Sequence, residues 1–121
     1  MTKKILISCE AMTKVFEEAI NQKTRYKCSC FTENWRALKA VDEGLGFDFA
    51  VLDYWPLRHN NELYQRIKEK YPSVPVIITH GDTDPLQDAE SIFGSDLPRF
   101  FNAFQERPSE LAKLIKGILE K

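Results

Sequence analysis

Phe49-Ala50-Val51-Leu52 runs without a polar side chain into a single carboxylate, Asp53, and then into Tyr54-Trp55-Pro56. A run that is apolar at successive positions has both faces covered, as in a strand inside a parallel sheet, whereas a half-exposed strand alternates. Parallel strands need crossover connections, usually helices. This one stretch therefore limits the chain to strands and helices in alternation. In open sheets of that kind ligands bind beyond the carboxyl ends of the strands, which makes Asp53 the first candidate site residue.

The rest of the chain supplies the alternation. Ile5-Leu6-Ile7 reads as a strand, and Met12, Val15, Phe16, Ala19 and Ile20 follow at the spacing of an amphipathic helix. Tyr26 to Phe31 is a second strand. Asn34 is a helix cap, with Trp35, Leu38 and Val41 as the apolar stripe and Gly44 and Gly46 as the stop. After the Asp53 strand, Leu63, Ile67 and Tyr71 mark a third helix ended by Pro72, and Val74 to Ile78 a fourth strand. Pro85 to Phe93 reads as a fourth helix, Arg99 to Phe104 as a fifth strand, and Leu111, Leu114, Ile115, Ile118 and Leu119 as a final helix. Serial β-α units with right-handed crossovers imply one α/β domain over residues 1–121, a doubly wound five-stranded parallel sheet of flavodoxin-like type with strand order 2-1-3-4-5.

Composition narrows the function classes. With 17 basic and 18 acidic residues the net charge is -1, so no global field draws the chain to nucleic acid or to anionic lipid. Met1-Thr2-Lys3-Lys4 leads into a strand without a signal-peptide core, and no apolar run has the length of a membrane span, which points to a cytoplasmic protein. Cys9, Cys28 and Cys30 read as reduced, small buried hydrophobes. A Cys-x-Cys pair without a third soft ligand makes a weak metal site. Ser8-Cys9-Glu10-Ala11 after the first strand is no glycine-rich phosphate loop, and no nucleophile-base pair is evident, which ranks a small flavodoxin-like enzyme or cofactor binder last.

The stretch Glu62-Leu63-Tyr64-Gln65-Arg66-Ile67-Lys68-Glu69-Lys70-Tyr71-Pro72-Ser73-Val74-Pro75-Val76-Ile77, with Lys3-Lys4-Ile5-Leu6-Ile7 and Leu52-Asp53 ahead of Pro56, resembles the third helix and fourth strand, the first strand and the phosphoacceptor turn of bacterial response-regulator receiver domains. The resemblance covers essentially the whole chain. It implies that Asp53 stands where the family accepts a phosphoryl group, with Mg²⁺ held by an acidic pair after the first strand and by a backbone carbonyl, here that of Trp55. The acidic pair maps onto Cys9 and Glu10. A thiol is a poor ligand for Mg²⁺, which demands hard oxygen donors, while Glu10 can still supply one.

An ungapped count from Pro75 puts the family's hydroxyl residue on His80, with Thr79 one place earlier and on the other face of the strand; a one-residue slip restores Thr79. The family's lysine corresponds either to Arg107, ahead of Pro108, or to the cation-free stretch from Asn102 to Phe104. Phe100-Phe101 is either the family's switch aromatic or simply core. The resemblance thus implies an atypical, stand-alone receiver-like signalling domain that binds a protein partner, a sensor kinase or a downstream protein, with phosphotransfer at Asp53 impaired or lost and with no cofactor or only weak Mg²⁺. A conventional phosphorelay receiver using Glu10, Asp53, Thr79 and Arg107 is the alternative.

Overall fold

The computed structural model describes residues 2–81 and 85–121. Five strands, β1 (Lys4–Ser8), β2 (Lys27–Phe31), β3 (Phe49–Asp53), β4 (Val76–His80) and β5 (Arg99–Asn102), form one parallel sheet in the order β2-β1-β3-β4-β5. Among the described residues six α-helices cover it: α1 (Thr13–Lys23), α2 (Asn34–Asp42), α3 (Tyr54–His59), α4 (Glu62–Lys70), α5 (Ala89–Phe93) and α6 (Pro108–Leu119). The expected fold class and strand order are those observed.

Alternation along the strands divides the core in two. Ile5, Ile7, Val51, Ile77 and Phe101 face α1 and α6, where Phe16, Ile20, Leu111 and Ile115 meet them. Leu6, Ala50, Leu52 and Ile78 face the other way, onto Val41 of α2, Leu57 of α3 and Leu63 and Ile67 of α4. The first four residues of β3 are fully buried, as their unbroken apolar run requires.

Several boundaries differ from those the sequence suggests, each for a local reason. Pro75 has no N–H to give a ladder, so β4 begins at Val76, although the Pro75 carbonyl still accepts from Ala50. The stretch from Pro85 to Phe93 is not one helix: a 3-10 turn, Pro85–Gln87, precedes the short α5. β5 stops at Asn102 because its side chain accepts from the N–H groups of Phe104 and Gln105 and turns the chain. Asn34 does not cap α2. Glu33 occupies the N-cap position, and Asn34 instead accepts a 2.7 Å hydrogen bond from the buried Ser8 hydroxyl. At the other end of α2, Gly44 takes φ +99 and the chain closes with Leu45 N–H on Ala40 and Gly44 N–H on Val41, the paired bonds of a Schellman stop.

Candidate functional site

The carboxyl ends of β1, β3, β4 and β5 lie side by side in the sheet, and the central strand, β3, ends on Asp53. Its backbone is still extended (φ -88, ψ 130), which makes it the N-cap of α3. One carboxylate oxygen accepts from Trp55 N–H and the other from Glu10 N–H, both at a long 3.4 Å. Asp53 thereby ties the turn after β1 to the start of α3. Burial pushes its pKa up and the charge of Glu10 adds to this; the two backbone N–H bonds pull it down. Sequence reasoning missed α3 altogether, although an Asp followed by Pro at the third helical position is a helix-start signal.

Cys9 and Glu10 turn in different directions. Cys9 is 2% exposed, packs in the α1–α6 core and lies with its Sγ 3.8 Å from the Thr79 hydroxyl. Desolvation drives its pKa far above the ordinary thiol range; the Thr79 contact opposes this and the Asp53 charge adds to it. The thiol is therefore neutral. Glu10 is exposed, and its side chain makes no hydrogen bond or ion pair among the described residues; it meets Asp53 through its backbone N–H and through the charge of its carboxylate. Trp55 is in the first turn of α3, where the helix presents N–H groups toward Asp53 and directs carbonyls along the axis away from it.

Of the two alternatives for the hydroxyl position, it is Thr79, not His80, that lies on the Asp53 face. Asp53 and Thr79 are register partners of adjacent parallel strands, so Thr79 shares the Asp53 face and His80 has the other. The Thr79 hydroxyl is buried and donates to the Leu52 carbonyl at 3.3 Å. The His80 ring stands edge-on to Phe100 at 6.3 Å, and its Nδ1 is buried without a hydrogen-bond partner among the described residues.

On the far side of the site, the Phe104 ring lies over Gly81, where an added Cβ would come within 3.0 Å of it. A larger residue at 81 would have to push the exposed Phe104 ring aside. Arg107 is the exposed N-cap of α6, and its guanidinium has no partner among the described residues. No cation stands between Asn102 and Phe104. Of the aromatic pair, Phe101 is core and meets Phe16 edge-on at 6.4 Å, while Phe100 packs among His80 and Phe93 on the opposite face.

A second group was not legible in the sequence. The Tyr54 hydroxyl bonds to Asp88, Arg58 lies 3.6 Å from the same carboxylate, and Asn61 bonds to the Ile92 carbonyl, which fastens α5 to α3 and α4. Trp35, expected inside, is 58% exposed, with its indole N–H on Glu33 and Arg36 over its ring. Trp55 and Phe104 are likewise exposed, so three aromatic rings rim this edge of the sheet. Among the described residues no three His, Cys, Asp or Glu side chains cluster as a metal site.

No protein-family model and no curated protein matches the chain. Solved structures do. A response regulator receiver protein from Sinorhizobium medicae superposes with TM-score 0.77 at 15% identity, covering 98% of this chain and 95% of that one. A response regulator from Thermotoga maritima gives 0.77 at 16%, with both chains covered in full. The fold is that of a response-regulator receiver domain. The BeF3-activated receiver domain of DrrB, also from Thermotoga maritima, agrees at TM-score 0.75 and 20% identity over 100% of both chains. Against the receiver fold, the edge that carries Asp53 is the edge on which open α/β sheets place their sites.

Proposed function

We propose that this chain is an atypical receiver-type signalling domain, not an enzyme, that acts by protein-protein contact with a sensor kinase or a downstream protein, with phosphoryl transfer at Asp53 impaired or lost. The observation that carries this reading is Cys9: a neutral, buried thiol, turned onto Thr79, stands where the resemblance implies an oxygen donor. The donor set fits Mg²⁺ poorly. It asks for hard oxygens in near-octahedral array, whereas the thiol is soft and protonated, which leaves Glu10 and Asp53 as the carboxylates of the set, and the Trp55 carbonyl follows the axis of α3. The carboxylate of Asp53 meanwhile has local work as the cap of α3.

Phosphoryl transfer relies on positioning and charge stabilisation, and the groups that supply them act together, so losing several costs more than a modest fraction of the rate. One observation favours the alternative of a conventional phosphorelay receiver: Thr79 shares the face of Asp53. The phosphoryl mimic in the DrrB receiver structure separates the two. With BeF3⁻ and Mg²⁺, the amide NMR spectrum of this protein is expected to stay unchanged around Asp53. Saturable shifts there, abolished in Asp53→Asn, would return the conventional reading.

A further inference from the structure

At the opposite edge of the sheet, β1 and β2 begin and α1 and α6 end. We propose that this edge is a docking surface for an acidic segment of a partner protein. Lys3, Lys4, Lys23, Arg25, Lys27 and Lys116 are all exposed there, and none belongs to an ion pair among the described residues. The chain as a whole carries a net charge of -1, so bulk composition does not account for the concentration. Complementarity with the C-terminal ends of helices explains Lys23 in the last turn of α1 and Lys116 in the last turn of α6. It does not explain the strand starts.

Lys4 and Lys27 are register partners on adjacent parallel strands, so two like charges sit side by side on one face, an arrangement that opposes pairing. Nearby carboxylates are already engaged: Asp48 accepts from the Lys4 backbone N–H, and Glu120 from the Tyr26 hydroxyl. At the ends of α1 and α6 a cavity of about 600 Å³ is lined by Lys23, Arg25 and Lys116, by Asn21 and Gln22, and by Tyr26 and one carboxylate, Glu120. Three cations against one carboxylate around an open cavity suit carboxylates that arrive from outside.

Protein is the better-fitting partner than nucleic acid. The exposed Trp and Phe rings among the described residues, Trp35, Trp55 and Phe104, all lie at the Asp53 edge, and the aromatic ring that lines this cavity, Tyr26, has its hydroxyl on Glu120, whose charge opposes a phosphate backbone. Asp48 and Glu120, interspersed with the cations, repel a uniform polyphosphate more than a discrete acidic peptide. The inference goes beyond the reading of Asp53, since it concerns the far end of every strand.

Fluorescence anisotropy with a labelled peptide in which glutamates alternate with serines tests it, beside a single-stranded oligonucleotide of equal charge and phosphatidylserine vesicles. The peptide is expected to bind at low ionic strength and to weaken with added salt. Lys4→Glu with Lys27→Glu, and separately Lys23→Glu with Lys116→Glu, are each expected to weaken it by about tenfold, while Lys14→Glu on the exposed start of α1 leaves it unchanged. Circular dichroism checks that each variant keeps its fold, and either pair decides the matter if the other does not fold. No peptide binding, binding undiminished by the reversals, or tighter binding of the oligonucleotide or the vesicles would overturn the proposal.

Discussion

Cys9→Asp restores a carboxylate where the receiver resemblance implies one, and its cost follows from the surroundings. The site is 2% exposed, the nearest polar group is the Thr79 hydroxyl, and Asp53 is close enough for its charge to act on the thiol. An ionised aspartate there is buried beside a like charge, a penalty of several kcal/mol. Protonation limits the loss: keeping the acid neutral at pH 7 against an ordinary pKa near 3.9 costs about 4 kcal/mol at most. A destabilisation of about 3 kcal/mol is expected at neutral pH, and for 121 residues that lowers Tm by about 12 °C.

The folded-state pKa of the new acid is raised, so its protonated form is compatible with folding. The deficit is accordingly greatest at neutral pH and fades as pH falls toward about 4. Mg²⁺ is expected to return part of it, because the variant offers a second hard oxygen beside Asp53. With a Kd of about 1 mM, about 10 mM Mg²⁺ contributes about 1.4 kcal/mol, or about 6 °C. Differential scanning calorimetry with and without Mg²⁺, at pH 4 and pH 7, measures all of this. The reasoning fails if the parent protein gains as much from Mg²⁺ as the variant does, or if the variant is as stable as the parent at pH 7.

Asp53→Asn is expected to raise Tm at pH 7 by about 2 °C, since the raised pKa means that folding disfavours the ionised form while asparagine can still cap α3; the gain should shrink below pH 4, and a loss of stability at pH 7 would contradict it. Burial holds Cys9 far above the ordinary thiol range, pushes Cys28 up to about 11 and, with Glu17 assisting, Cys30 up to about 12, so native thiol titration at pH 8 should be slow at all three and become rapid only on unfolding. Phe101→Ala removes a buried ring that meets Phe16 and should cost about 3–5 kcal/mol in urea unfolding; Phe104→Ala, which removes an exposed ring, should cost less than about 1 kcal/mol.

Apart from α3, the order of strands and helices was written in the periodicities themselves. An apolar run through β3, the helical spacing of α1 and α6 and the glycine stop after α2 are local signals, and right-handed crossovers leave few ways to assemble them. Asp53 at a strand end and the soft thiol at Cys9 were legible for the same reason, since residue type and position along a strand are enough to name them. Other features depended on neighbours distant in sequence. Which of Thr79 and His80 shares a face with Asp53 is set by the pairing of β4 with β3, and a shift of one residue reverses the answer. The bond from Tyr54 to Asp88 spans 34 residues, and the exposure of Trp35 depends on where its neighbours leave room, although its helical spacing alone suggested the core. Local propensity and periodicity belong to the chain as written, whereas register, burial and the partners of a polar atom exist only once the sheet has closed around them.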